Sequence, residues 1–239
     1  MAAQGGGFEH GTWEDLFYHI DKGDYATAYQ QGETIPLDLG STLGTINMEI
    51  SDFDADVLAS DVSKTAPVSF VAKELLNPSH RWNPALVGSS APYTEGTGAI
   101  GGWEKSELRA WLRSDVWDAI PALVRNRIAT VSKCSVTYGT DGVPTYDYET
   151  EETVFIPSAR EYGRMTQWVE TKYYTTYSAI SSDKKRQKAK AGGSVTMWWA
   201  RSGLSTSEAY KISTTGRNDG GLVEAVQSSL GILLCFCVG

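Results

Sequence analysis

The order in which helix-like and strand-like spacings of apolar residues follow one another along the chain is the strongest constraint on its fold. Residues 13–22 place apolar side chains at helical spacing, with Thr12 positioned to cap the helix and Gly23 to end it. Strand-like alternation follows in residues 33–39 and 44–56, and three more strand-like segments end the chain. Helices and strands do not alternate as a parallel βαβ sheet requires. The pattern therefore predicts one α+β domain.

Composition narrows the function classes. The chain of 239 residues has a net charge of −8, so a nucleic-acid backbone would be repelled over most of its surface. No apolar run approaches the length of a membrane span, and we expect no membrane insertion. The three cysteines, Cys134, Cys235 and Cys237, are odd in number and lack the spacing of a disulfide framework or a zinc site. We expect a soluble globular protein made in the cytosol.

Two segments differ from the rest in composition. The glycine-rich residues 1–11 predict a flexible N-terminal arm, which leaves residues 12–239 as the single domain. The basic run at residues 183–193 predicts a solvated, mobile loop. The alternative for this run is a loop that docks on an acidic neighbour.

The segment GTGAIGGWEKSELRAWL, residues 96–112, has the Gly-x-Gly-x-x-Gly spacing of a dinucleotide-binding loop. That loop must follow a buried strand, whereas the residues before Gly96 are polar and turn-forming. We therefore predict a glycine hinge, in which Gly101 and Gly102 let the backbone turn before Trp103 anchors it in the core. No cofactor is expected.

Three alternating aspartates, Asp52, Asp54 and Asp56, resemble the start of a calcium loop. The glycine and glutamate that such a loop needs at its sixth and twelfth positions are absent, so we predict a solvated strand end without a metal. Side chains that share a strand face leave a looser cation site open. No serine, cysteine or carboxylate is placed in a recognisable catalytic motif, and the chain is expected not to be an enzyme.

The run MWWARSG, residues 197–203, predicts a strand with at least one face in the core. Arg201 on the inner face would need carboxylate or carbonyl partners, so we predict a buried structural role for it. The alternative is a tryptophan-lined ligand platform that includes Trp199.

Five ordered motifs together resemble an uncharacterised domain family common in Clostridia-type bacteria and their phages. They are GGWEKSELRAWL, DAIPALVRNRIATVSKCS, ETVFIPSAREYG, WWARSG and GILLCFCVG, and the resemblance extends over roughly residues 12–238. The structural positions that the motifs carry are Trp103, Arg109, Trp199 and Arg201. Departures are Leu233 and Leu234 in place of Arg-Pro and Gly203 in place of proline, which put a shared ligand pocket in doubt.

The resemblance implies a C-type-lectin-like mixed fold with short strands and two or three helices. It also implies a non-enzymatic bacteriophage virion protein, such as a capsid decoration, tail or fibre-associated protein. Such a protein would dock on other virion proteins as an oligomer or array. The calcium-dependent sugar signatures of true lectins are absent from this chain.

Two alternatives remain open. The first is a host-attachment module that binds a surface receptor or glycan, with a site in the polar stretch between Arg201 and Gly231. Its binding residues would be Tyr210, Arg217, Asn218 and Asp219. The second is an enzyme related to formylglycine-generating chemistry, for which Cys235 and Cys237 are the available thiols, and their apolar neighbours favour burial instead.

Overall fold

Strands make up most of the regular structure, which a computed structural model describes for residues 7–163, 169–217 and 223–239. In these ranges the helices are α1 (Trp13–Lys22), α2 (Tyr25–Ala28), α3 (Gly40–Leu43), α4 (Glu107–Trp111), α5 (Trp117–Ala119), α6 (Ala122–Arg125) and α7 (Asp183–Arg186). A π-helical turn, Leu112–Val116, joins α4 to α5, and 3₁₀ turns lie at Trp103–Lys105 and Ser178–Ile180.

The strands form antiparallel pairs throughout the described residues. They are β1 (Thr34–Asp38), β2 (Thr45–Phe53), β3 (Val57–Leu58), β4 (Asp61–Thr65), β5 (Val68–Ala72), β6 (His80–Arg81), β7 (Ile128–Ala129), β8 (Val131–Tyr138), β9 (Pro144–Glu152), β10 (Val154–Phe155), β11 (Trp198–Gly203), β12 (Glu208–Ile212), β13 (Val223–Ala225), β14 (Ser229–Leu230) and β15 (Cys235–Val238).

The C-terminal strand β15 lies inside the largest sheet, in which β1, β2, β5, β15 and β10 follow in that order. One edge of β15 pairs with β5, and its other edge pairs first with β10 and then with β7. Strands from both ends of the chain therefore form one sheet. Smaller sheets have the orders β4-β3-β8-β9, β11-β12-β13 and β14-β6.

Helix α1 covers this sheet as its sequence predicts. The Thr12 hydroxyl accepts a hydrogen bond from the Asp15 amide at 3.3 Å, and Gly23 ends the helix with a left-handed φ of 77°. The apolar face is buried, and the Trp13 ring lies 5.1 Å from Phe70 and 6.0 Å from Phe236, measured between ring centroids. The amphipathic period thus places α1 on β5 and β15.

The fold is mixed α and β, as expected, but its helices are more numerous and shorter than the two or three predicted. Helix α1 has ten residues and the other helices in the described ranges have three to five. The segment after β5 had the composition of a short helix, yet it is irregular because its amides bond across to other segments. Leu75 donates to the Ala189 carbonyl at 2.9 Å, and Leu76 donates to the Ile232 carbonyl at 3.0 Å.

The basic run at residues 183–193 is solvated only in part, because Lys184, Lys185 and residues 191–193 are exposed whereas two of its basic side chains are buried. Its first part is helix α7, and Arg186 is only 3 % exposed, with its guanidinium donating to the carbonyls of Gly216, Tyr162 and Ile180. Lys188 is buried and donates to the Ala72 carbonyl at 3.1 Å. Backbone carbonyls from distant segments replace the water that the charge pattern led us to expect.

The glycine hinge is confirmed. Gly101 and Gly102 have φ values of 80° and 60°, and the Gly101 amide donates to the Tyr138 carbonyl at 2.8 Å. At Gly102 a Cβ atom would overlap the side chain of Thr137 on β8. Glycine is thus required there both for its conformation and for the close approach of two backbones, and it brings Trp103 into the core.

We expect Gly102→Ala to lower the free energy of unfolding by about 2–4 kcal/mol, because the positive φ and the overlap with Thr137 both oppose a side chain. Gly192→Ala is the matched control, since its φ is 69° and nothing lies within 4 Å of the added carbon. That variant should lose about 1 kcal/mol. Urea denaturation followed by circular dichroism measures both, and equal losses would contradict the close-approach argument.

Candidate functional site

Four charged side chains meet in the interior, and we call this group the buried hub: Asp56, Lys133, Glu161 and Arg201. Each is at most 3 % exposed. Arg201 on β11 binds Glu161 through two hydrogen bonds of 2.6 and 2.9 Å. Lys133 on β8 donates to Glu161 at 2.8 Å and also to Asp56, which follows β2. The hub therefore connects segments of three different sheets: those of β2 and β10, of β8, and of β11.

Further polar groups complete the hub. The Tyr177 hydroxyl lies 2.6 Å from the Lys133 amino group and donates to Asp56 at 2.9 Å, and Ser69 donates to the same carboxylate at 2.5 Å. Arg201 also donates to the carbonyls of Ile156 at 2.8 Å and Cys134 at 3.2 Å. These are the carboxylate and carbonyl partners that an inward-facing arginine on this strand needs.

Opposite charges hold both hub carboxyls in their ionised form. Burial by itself would raise the pKa of Asp56, but Lys133 more than offsets that effect and the pKa lies below its ordinary value. Burial opposes ionisation of Glu161 too, and Arg201 with Lys133 again brings the pKa below its ordinary value. Two anions and two cations thus neutralise one another inside the protein.

A buried carboxylate outside the hub explains the Gly-Gly-Trp motif. The indole of Trp103 donates to Glu152 on β9 at 3.1 Å, and the Arg109 guanidinium donates to the same carboxylate at 2.9 and 3.1 Å. Ser106 caps α4 by accepting from the Arg109 amide at 3.1 Å. The motif residues Trp103 and Arg109 therefore converge on Glu152, which sequence reasoning passed over among several neighbouring acids.

The structure describes two of the four residues expected to bind a receptor. Tyr210 lies on β12 and is 0 % exposed, so its side chain is not available at the surface. Arg217 is exposed, while Asn218 and Asp219 lie outside the described residues. Burial of Tyr210 follows from the position of β12 between β11 and β13.

The tryptophan platform is also excluded. Trp198 and Trp199 are both 0 % exposed, and the Trp199 indole donates to the His80 carbonyl at 3.0 Å. Both faces of β11 are covered, so its aromatic side chains belong to the core.

The three aspartates do not share one site. Asp52 accepts from the Ser51 hydroxyl at 2.6 Å and the Ser178 amide at 3.1 Å, and Asp54 accepts from the Tyr25 hydroxyl at 2.6 Å. Strand β2 ends at Phe53, so the alternation that would place all three aspartates on one face does not extend to Asp56, which belongs to the hub instead. In the described ranges no three or more His, Cys, Asp or Glu side chains are arranged to hold a metal ion.

One surface groove is lined by exposed apolar side chains, and we call it the N-terminal groove. It has a volume of about 440 Å³ and lies between the start of the chain, α1 and the segment around α6. Phe8 is 46 % exposed and Leu123 is 45 % exposed. Its lining residues are Phe8, Glu14, Phe17, Tyr18, Asp21, Leu123, Asn126 and Arg127.

We expect Glu161→Gln to lower the free energy of unfolding by about 3–5 kcal/mol, because it leaves Lys133 and Arg201 buried with too little negative charge. Asp21→Asn is the control, since the Asp21 side chain is 67 % exposed in its pair with Arg127. That change should cost less than about 1 kcal/mol. Thermal unfolding compares the two, and a Glu161→Gln loss as small as that of the control would show that the hub is not a major source of stability.

The cysteines should be chemically inert in the folded protein. Burial raises the pKa of the Cys134 thiol to about 12 and raises those of Cys235 and Cys237 well above their ordinary value. We expect Ellman's reagent to label none of them rapidly in buffer and all three in denaturant. Rapid labelling of one thiol before unfolding would point to an accessible, activated cysteine.

Comparisons with known proteins identify the family of the chain. No curated protein and no solved structure matches it. No helix in the described ranges is both long and apolar enough to cross a membrane. Residues 72–238 match the family DUF6273, a domain of unknown function. Three hub residues, Lys133, Glu161 and Arg201, lie inside this match, and Asp56 lies before it. The chain belongs to the DUF6273 family.

Proposed function

We propose that this chain is a non-enzymatic structural protein that assembles with further copies of itself through the N-terminal groove. The observation that carries the proposal is the exposed pair Phe8 and Leu123 at one groove. Exposed apolar surface rimmed by polar groups is typical of protein–protein contact sites. In keeping with the family resemblance, the assembly would be part of a phage virion, as a decoration, tail or fibre-associated protein.

The groove already receives one aromatic side chain from a glycine-flanked segment. Phe8 approaches Tyr18 with a centroid distance of 6.4 Å, and it is preceded by Gly7 and followed by Gly11, each with a φ of 84°. His10 anchors the next part of the segment by stacking on Tyr29 at 4.5 Å. Thus residues 10 and 11 of the expected arm contact the domain, and Phe8 lies beyond that anchor.

A second copy of the chain is the occupant that this geometry favours. The same arm from a neighbouring copy would present the same phenylalanine, and exchange of an identical element is a low-cost route to assembly. Arg127, Phe17 and Asp21 form the floor of the groove. The Arg127 guanidinium lies 4.8 Å from the centroid of the Phe17 ring and donates to Asp21 at 2.7 Å, which holds the three side chains together. The exchange would leave this floor unchanged.

A non-catalytic role is supported by the burial of the four hub residues and of the three cysteines. Asp56, Lys133, Glu161 and Arg201 bind one another in the interior, and the three cysteines are at most 1 % exposed. These groups stabilise the domain and are covered by its own side chains. We propose no cofactor for the chain.

We also propose that the domain is similar to the C-type-lectin-like fold. Short antiparallel strands, a ten-residue helix and the irregular connection between β6 and the Trp103 turn support the similarity. The host-attachment role remains the alternative function, although its expected site at Tyr210 is buried.

The assembly proposal is tested by the mass of the full chain in solution. We expect light scattering to show an oligomer for the native chain and a monomer for Leu123→Asp, because a carboxylate at the rim opposes burial of Phe8. Deletion of residues 1–11 should have the same effect without a change in circular dichroism. Val143→Asp is the control, since Val143 is 59 % exposed elsewhere on the surface.

Two results would overturn the proposal. One is a native chain that stays monomeric at about 100 μM, a concentration well above the dissociation constant of a micromolar complex. The other is an oligomer that forms equally well in Leu123→Asp and in the deletion. Capture of capsid or tail proteins by the native chain, lost in both variants, would support the virion context.

A further inference from the structure

We infer that a second groove, which we call the Trp111 groove, binds a neutral saccharide. The inference is independent of self-assembly, because this groove shares no lining residue with the N-terminal groove. It has a volume of about 640 Å³, within the roughly 300–1,000 Å³ of small-molecule sites. Its lining residues are Leu39, Gly40, Ser41, Thr42, Leu43, Pro78, His80, Trp111, Asp115, Asp118 and Ala119.

One helical segment supplies an indole and two carboxylates to the groove. Trp111 ends α4, Asp115 lies in the π-helical turn, and Asp118 lies in α5. Their spacing of four and three residues returns them to one side of the helix. Both aspartates are exposed. One oxygen of Asp115 accepts from the Ser114 hydroxyl at 2.8 Å and Asp118 lies 3.8 Å from Arg125, so each carboxylate keeps its remaining lone pairs for hydroxyl donors.

The indole wall is held in place before any ligand binds. The Trp111 ring stacks on His80 with a centroid distance of 4.8 Å and an interplanar angle of 24°. His80 is itself fixed, because its Nδ1 donates to the Arg81 carbonyl at 2.7 Å and its carbonyl accepts from the Trp199 indole at 3.0 Å. A preformed wall lowers the ordering cost of binding a small ligand.

Another part of the groove lining carries hydroxyl groups. Ser41 and Thr42 are exposed residues of the short helix α3, and they face the groove with Gly40. Hydroxyls both donate and accept, whereas the carboxylates of Asp115 and Asp118 only accept. This mixture matches a ligand whose own hydroxyls act as donors and acceptors around an apolar ring face, as a pyranose does.

Charge selects among saccharides. Asp115 and Asp118 lie on a protein with a net charge of −8, so an acidic sugar would be repelled. A small organic cation is the competing ligand, because carboxylates and an indole attract it as well. Aromatic recognition of such a cation uses a cage of rings that surround it, whereas the two rings that line this groove, Trp111 and His80, are stacked on one another. The neutral saccharide therefore fits the groove better.

The neutral probes are methyl glucoside, N-acetylglucosamine, and a disaccharide of glucose and one of N-acetylglucosamine. Glucuronate and choline are the comparison ligands. Saturation-transfer NMR and calorimetry on the full chain report binding. We expect a neutral probe to bind with a millimolar or lower dissociation constant and glucuronate not to bind. In the double variant Asp115→Ala/Asp118→Ala, binding should weaken about 10-fold or more, because two charged hydrogen-bond acceptors are lost.

Glu95→Ala/Glu149→Ala is the matched control, since it also removes two negative charges and both residues are exposed and lie outside this groove. It should leave the affinity unchanged, which separates local contacts from net charge. The inference is overturned if none of the neutral probes binds, if choline binds in their place, or if the double variant keeps native affinity. Loss of saccharide binding in a variant that still oligomerises would show that the two surfaces act separately.

Discussion

The pairing of Arg201 with Glu161 is the interaction on which the rest of the interior depends. Glu161 accepts from Arg201 and from Lys133, and Lys133 in turn reaches Asp56. Asp56 and Glu161 follow β2 and β10 of the largest sheet, whereas Lys133 lies on β8 and Arg201 on β11, which belong to two other sheets. An unpaired buried charge costs free energy, so each of these segments can occupy only the position in which its charged side chain pairs with one of opposite charge. The hub thus fixes how the sheets are arranged.

The hub also shows why the N-terminal third is part of the same domain as the segment that defines the family. The family match begins at residue 72, yet Asp56 completes the charge balance of Lys133. Strands β1 and β2 extend the sheet formed by β5 and β15, and Trp13 of α1 lies against Phe70 and Phe236. Without these residues, Lys133 would lose one of its two carboxylate partners, and Phe70 and Phe236 would lose the cover of Trp13. The DUF6273 segment in this chain is therefore stabilised by residues that precede it.

Two surface grooves carry the proposed functions. The buried charged groups pair with one another in the hub, and the residues proposed for recognition lie on helices and loops at the surface. The N-terminal groove is apolar at its rim and accepts an aromatic side chain, whereas the Trp111 groove combines one indole with carboxylates and hydroxyls. The first composition favours protein contact and the second favours a hydroxyl-rich ligand. One domain can present both surfaces because they share no lining residue.

The sequence by itself determined α1, the strands β1, β2, β11 and β15, the glycine hinge and the lack of a regular βαβ order in the described residues, because local periodicity and backbone preference decide such features. It also indicated that Arg201 needs buried partners. The tertiary structure decided which partners those are, since Glu161 lies 40 residues away and Cys134, whose carbonyl also accepts from Arg201, lies 67 residues away. Long-range contacts likewise buried Tyr210, Arg186 and Lys188, whose local composition predicts exposure. They also joined Trp111 to His80, which no sequence spacing reveals. Polarity along a chain predicts solvent contact only where no distant carbonyl or carboxylate takes the place of water.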